Sequence, residues 1–243
     1  MAKMTLEGYL RRLTEESNKR LGLYEKTLRR AYTSLLGDMN NVISNTYAKL
    51  DDSDLINSLM KYHRKDNVEK TLTSLINEFS KAKYKGMYNQ LREQLLFAYQ
   101  YYYTGLTEVA GKSYTLTPLK KEWLTATIEN EIAGLTLKET LQRDRQNIIY
   151  SLKSNLIQGV NRGESFSTMA KRMQKVVNND YQKAVRIART ETHRVREEGT
   201  FQSALKGEQA GIKQMKTWNS SNDSRTRREH RRLDGKTIPM DEY

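Results

Sequence analysis

The sequence predicts a mainly α protein: an elongated multi-helix body followed by a small C-terminal α+β module. Three observations predict it. Apolar residues recur every three to four positions over long stretches, the period of a helix with one buried face. Only two prolines, Pro118 and Pro239, interrupt the 243 residues. The apolar fraction is 37%, low enough to favour long helices with wide wet faces over a thick globular core.

The first helix is expected over about Thr5 to Leu36. Its stripe is Leu6, Tyr9, Leu10, Leu13, Leu21, Tyr24, Leu28, Ala31, Tyr32 and Leu35. Gly37-Asp38 is a candidate break, after which Val42, Ile43 and Tyr47 resume the pattern. Asp51-Asp52-Ser53-Asp54 offers carboxylates and a hydroxyl to free amides, as a helix N-terminus requires. Helical spacing then returns in Leu55, Ile56, Leu59 and Met60. It recurs in Val68, Leu72, Leu75, Ile76 and Phe79, and again in Met87, Leu91, Leu95, Ala98 and Tyr102. Gly105 and Gly111-Lys112-Ser113 mark a loop. Thr117-Pro118 resembles a cap followed by a first-turn proline. After Gly134, Thr136-x-x-Glu139 is a capping box, opening a helix through Leu141, Ile148, Leu152, Leu156 and Ile157. Gly159 and Asn161-Arg162-Gly163 close it. Ser165 or Ser167 caps a short helix with Met169, Met173, Val176 and Val177. Asn179-Asp180 caps another, from Tyr181 to about Leu205.

The texture changes after Gly207. Ile212 to Trp218 suggests a short strand, Asn219 to Ser224 a turn, and Arg225 to Leu233 one or two helical turns. Asp234-Gly235 is a hairpin-type turn signal. Trp218 is expected to roof a small core with Leu233 and Ile238, and Asp223 to cap the turn after it. The expected division is a body over residues 1–206, with subregions 1–50, 51–113 and 117–206, and a module over 207–243, incomplete at its C-terminus.

Composition removes several function classes. The chain has no cysteine, which excludes a disulfide scaffold, a cysteine nucleophile and a thiolate zinc site within these residues. His63, His193 and His230 are scattered, and no glycine-rich phosphate cradle or Gly-x-Ser-x-Gly elbow occurs. A self-contained enzyme is therefore not expected, and no cofactor is. Met1 to Arg12 has no apolar leader core, and no run reaches the ~18 apolar residues of a membrane span.

Charge is unevenly placed. Net charge is +13 overall, and residues 143–196 hold 12 basic against 4 acidic groups. A polyanion partner is one physical reason for such a surplus, because neutralised phosphates release counterions. A solvated basic face is the other. The DNA-contact candidates are Arg143, Arg145, Lys153, Arg162, Lys171, Arg172, Lys175, Lys183 and Arg186. Tyr99, Tyr101, Tyr102 and Tyr103 form an aromatic cluster without basic neighbours inside it, which favours packing over base stacking. Arg186, Arg189 and His193 share a helix face. Arg189 and Glu191 do not face each other; spacing alone favours two solvated surface groups, and the alternative is that each reaches a different neighbour and locks this helix to the C-terminal module.

The motif Ala188-Arg189-Thr190-Glu191-Thr192, then Trp218, then Asp223-x-Arg225-Thr226-Arg227-x-x-His230-x-x-Leu233-Asp234-Gly235-Lys236, then Pro239-x-Asp241-Glu242, resembles the tailed-phage minor head proteins of the Mu F-like head-morphogenesis group. The specific match covers about residues 180–243. It implies a structural component of the phage head that enters the procapsid with the portal protein and aids head assembly, DNA packaging or DNA delivery. The implied partners are the portal, packaged double-stranded DNA, and the major capsid or scaffolding protein, with several copies around the portal ring. The implied location is the virion interior near the portal vertex, and the host cytoplasm during assembly. Arg189, Thr190, Glu191, Trp218, Asp223, Arg225, Arg227, His230, Leu233, Asp234, Gly235 and Pro239 are then structural or partner-binding positions. The family commonly continues into a His-Pro-x-Cys-x-Cys-like tail, which this sequence does not contain. With such a tail, His230 and Asp234 would join a zinc-like site. The competing reading is a metal-dependent nuclease using Asp223, His230 and Asp234. A transferase reading also exists, since relatives of the module occur beside ADP-ribosylating domains, but no transferase motif is present.

Overall fold

A computed structural model describes residues 4–47, 64–162, 164–221 and 223–240. The chain is mainly α. Its described elements are α1 (Leu6–Tyr47), α2 (Arg64–Ala110), α3 (Lys121–Ile128), α4 (Leu137–Asn161), α5 (Phe166–Gln209), β1 (Met215–Thr217), α6 (Arg228–Leu233) and β2 (Thr237–Pro239). At 1.5 Å per residue, the 47 residues of α2 span about 70 Å.

The three long helices α1, α2 and α5 pack on one another as a spine. A different element covers the spine at each level. At one end α4 closes the core, bringing Ile148, Leu152 and Leu156 against Leu28, Leu35, Met39, Ile43, Leu72, Ile76, Met169 and Met173. In the middle α3 and the start of α4 supply Leu124, Ile128, Leu137 and Leu141 against Met87, Leu91, Leu95, Ala188 and Val195. At the far end the C-terminal module supplies Ile212 and Met240 against Tyr102, Leu106 and Ala204. Polar pairs tie the spine between these apolar layers. Ser17 donates to Gln94 Oε1 at 2.8 Å, while Gln94 Nε2 donates to the Ser17 carbonyl at 3.1 Å. Gln90 and Thr192 pair at 3.2 Å. Such buried pairs fix register, because a shift would orphan both partners.

Several expected breaks are absent. α1 runs through Gly37-Asp38 without interruption. The stretches from Val68 and from Met87 are one helix, which contains Gly105 and ends only where Gly111 takes a positive φ of 63°. Thr117-Pro118 is not a cap. The Thr117 carbonyl accepts the Tyr99 hydroxyl at 2.8 Å, which ties this segment to α2, and α3 begins at Lys121 with Lys120 as an uncapped N-cap. Asn179-Asp180 caps nothing, because the two helices expected around it are the single helix α5, and the Asp180 carboxylate is engaged inside the bundle. The expected Asp51–Asp54 cap and the Leu55, Ile56, Leu59, Met60 segment lie outside the described residues. The capping box is present: Thr136 N donates to Glu139 Oε2 at 2.9 Å and Glu139 N to Thr136 Oγ1 at 3.2 Å. Ser165 caps α5, accepting from Thr168 N at 3.3 Å.

The strand after Gly207 is confined to Met215–Thr217 and pairs antiparallel with β2, Lys216 opposite Ile238. A lone two-stranded ribbon is marginal in water. This one is docked, since Gln214 is buried, donates to the Ala204 carbonyl at 2.8 Å and accepts from the Tyr102 hydroxyl at 2.8 Å. The tyrosine cluster packs, as expected. Tyr99 and Tyr102 are buried, and Tyr103 donates to the Tyr114 carbonyl at 2.6 Å.

Candidate functional site

The basic stretch forms α4 and most of α5, and the bundle sorts its cations into two sets. One set is tied into structure. Arg172 grips both Glu164 oxygens at 2.7 Å, Asn155 at 3.0 Å and Gln158 at 2.9 Å, clamping the end of α4 to the start of α5. Arg145 donates to Asn77 at 3.0 Å. Lys153 lies 3.8 Å from Glu69, and Arg162 lies 3.7 Å from Glu164. The other set is exposed: Arg143, Lys171, Lys175, Lys183 and Arg186. None of these five has an ion pair or hydrogen bond among the described residues.

Arg143, Lys183 and Arg186 border a groove of about 600 Å³ between α4 and α5, which Ile132, Leu135, Leu137, Ile187 and Thr190 also line. An adjoining lobe of about 340 Å³ shares Asp144, Asn147, Lys183 and Arg186 with it and reaches Asp180. Asp144 is 6% exposed. Burial raises its pKa above the ordinary carboxyl value, Asp180 adds to the rise, and Lys83, Lys183 and Arg143 oppose it. An acid whose folded pKa is raised costs stability above that pKa, and the cost vanishes below the unfolded value.

Beneath the groove, Lys83 is buried with Asp180, Nζ to Oδ2 at 2.9 Å. The Tyr32 hydroxyl donates to the same oxygen at 2.5 Å, and Lys83 donates to Tyr32 at 3.1 Å. Burial first, and Asp180 second, push the Tyr32 phenol far above its ordinary pKa, so it stays a donor.

The Arg189-Thr190-Glu191 motif is a joint, but not to the C-terminal module. Arg189 donates to Glu25 on α1 at 2.7 and 2.9 Å. Glu191 is buried and accepts from Arg194 at 2.9 and 2.8 Å. Arg194 in turn donates to the Thr127 and Ile128 carbonyls at 2.6 and 3.1 Å, satisfying acceptors left open where α3 ends. Thr190 is exposed on the groove wall. The shared face expected for Arg186, Arg189 and His193 therefore splits: Arg186 borders the groove, Arg189 meets α1, and His193 pairs with Arg196 at 2.7 Å.

In the module, Asp223 caps its turn, accepting from Arg225 N at 2.9 Å and Thr226 Oγ1 at 3.1 Å. Asp234 accepts from Ser220 N at 2.8 Å, and Gly235 turns the chain with φ of 74°. Pro239 stands opposite Met215 in the ribbon. Trp218 does not roof a core. It is 44% exposed, with its ring edge-on to His230 at 5.4 Å, and Leu233 is 37% exposed. Among the described residues of the module, the buried apolar ones are Ile212 and Met240, which the body claims. Arg225 and Arg227 are exposed.

Among the described residues, no three His, Cys, Asp or Glu side chains gather where an ion could bind. Asp223 and Asp234 instead serve backbone amides. Among the described residues, Asp223, His230 and Asp234 do not come together as one ligand set. Among the described residues no helix is long and apolar enough to cross a membrane.

The described residues form a long helical spine with a small C-terminal ribbon that carries the Asp223–Gly235 motif. A family model described as Phage Mu protein F like protein matches residues 150–243. The chain is 31% identical over 233 residues to Minor head protein GP7 of Bacillus phage SPP1, covering 90% of this chain and 71% of that one. It belongs to the phage minor head protein family and is a structural component of the phage head. It is also 28% identical over 144 residues to NAD(+)--arginine ADP-ribosyltransferase EFV of Enterococcus faecalis, which covers 59% of this chain but 29% of that protein. No solved structure matches.

Proposed function

We propose that this minor head protein is built into the procapsid beside the portal and turns its α4–α5 face toward packaged DNA. The observation that carries the DNA part is the exposed, unpartnered set on α5. At 100° per residue, Lys171, Lys175, Lys183 and Arg186 fall within about a third of the helix circumference. A stripe of free cations suits a phosphate backbone, whereas ion-paired ones do not. The family resemblance supports the portal as the protein neighbour, with several copies around its ring.

The DNA part is tested with Lys171→Glu and Lys175→Glu together. Each removes a free cation without touching the Arg172 clamp. The slope of log K against log salt for duplex DNA is expected to shrink by roughly two, at about 0.9 per lost phosphate contact. An unchanged slope would remove this face from the interface.

A further inference from the structure

Asp144 in the groove lining is more than nine-tenths buried, yet among the described residues it accepts no hydrogen bond and has no cation at salt-bridge distance, Lys83, Lys183 and Arg143 acting on it from further off. Its oxygens are not sealed from solvent, and it lines both lobes of the groove, so they are open to a donor that enters there. The rim has the opposite character, with Arg143, Lys183 and Arg186 bordering it outside any ion pair or hydrogen bond among the described residues, although Arg143 and Lys183 act on Asp144 through space. Leu135 and Ile187 give the wall between them an apolar surface. A ligand that satisfies all three zones carries negative charge outside, adjacent N–H donors inside, and a flat apolar body between.

We propose that this groove binds a guanine nucleotide, with the guanine N1–H and exocyclic amino group donating to the two Asp144 oxygens, the purine against Leu135 and Ile187, and the phosphate at Lys183 and Arg186. Guanine alone among the common bases presents two adjacent donors that match a carboxylate. Adenine and cytosine place an acceptor beside the amine, which an ionised carboxylate repels. A volume of about 600 Å³ is ample for a nucleotide. In duplex DNA that guanine edge is paired, so the ligand is a free nucleotide or a guanine of single-stranded DNA. The inference goes beyond the duplex contact proposed above and does not depend on it.

The test is calorimetric titration of the full chain with GMP, AMP and inorganic phosphate, and with single-stranded oligonucleotides carrying one dG or one dA. GMP or the dG strand is expected to bind at least ~10-fold more tightly than its adenine counterpart, within the discrimination of a bidentate base contact. GMP alone would identify a free nucleotide, and the dG strand alone a single-stranded end. Asp144→Asn is expected to abolish the preference. This variant should melt no lower than the parent at pH 7, because it removes a buried charge. Its stability advantage should fade as pH falls through the raised Asp144 pKa, with Asp180, Lys183, Lys83 and Arg143 the charged groups around it. Lys171→Glu with Lys175→Glu should weaken duplex binding and leave GMP binding intact, which separates the two proposals. Equal binding of GMP, AMP and phosphate, or no binding by any probe, would overturn the inference.

Discussion

Lys83→Ala is expected to be among the most damaging single changes in the chain, at about 3–5 kcal/mol, the range for breaking a buried ion pair from one side. The Lys83 and Asp180 side chains are 1% and 6% exposed. Removing the ammonium leaves Asp180 buried near Asp144, with only the Tyr32 hydroxyl bonded to its Oδ2. At about 2–4 °C per kcal/mol for a chain of this size, the midpoint should fall by roughly 6–20 °C. Lys83→Met combined with Asp180→Leu should recover most of the loss, since the pair itself contributes little net stability once its desolvation is counted. Thermal unfolding of the two variants decides the matter. A shift of a degree or two for Lys83→Ala would show that the network is solvated and the α1–α2–α5 junction loosely packed.

Gly199→Ala is expected to destabilise, against the usual sign for a glycine within a helix. An added Cβ would meet the Leu95 carbonyl oxygen at 2.5 Å, Ala98 Cβ at 3.1 Å and the Tyr99 nitrogen at 3.2 Å. Two of those contacts are backbone, so α2 and α5 must part rather than a side chain rotate. The expected cost is about 1–3 kcal/mol, as for other overpacked interiors. Gly22 and Gly37 on α1 have open space where a Cβ would stand. Alanine at either should stabilise by about 0.5–1 kcal/mol through helix propensity alone. Denaturant midpoints at constant m value separate the two signs. A Gly199→Ala variant as stable as Gly22→Ala would contradict the close crossing.

Much of the helical body was legible because burial follows the 3.6-residue stripe. Leu28, Tyr32, Leu35, Val68, Leu72, Met87, Leu91, Leu95, Ile148, Leu152, Met169 and Met173 were all expected on apolar faces and are all buried. Continuity was not legible. Gly37-Asp38 and Asn179-Asp180 are locally poor helix formers, but tertiary packing along both flanks outweighs a propensity cost of about 1 kcal/mol. Asp180 looked like a cap because its partner, Lys83, lies 97 residues away, and nothing local marks that pairing. The same limit applies to charge. The surplus in residues 143–196 was plain, but the ties of Arg145 to Asn77 and of Arg172 to Asn155 and Glu164 exist only after the helices pack. For Arg189 and Glu191, spacing gave divergent directions and could not give destinations. Arg194, three residues beyond Glu191, was the one missed joint residue with a local signal, the i,i+3 pairing rule. Trp218 stays outside any core because the described buried apolar residues of the module, Ile212 and Met240, pack against Tyr102, Leu106 and Ala204 of the body, a long-range docking that no local pattern marks.

The placement beside the portal is tested most directly by co-expressing this chain with the portal protein of its own gene cluster, followed by size exclusion with light scattering at about 0.5 M salt. Exposed charge contacts are heavily screened there, so a surviving complex reflects a fitted interface. A stable complex of fixed stoichiometry is the predicted result, and its mass gives the copy number on the ring. A chain that elutes free of the portal under these conditions, while still binding DNA at low salt, would contradict portal docking and leave the cationic face of α5 as its sole tie to the head interior.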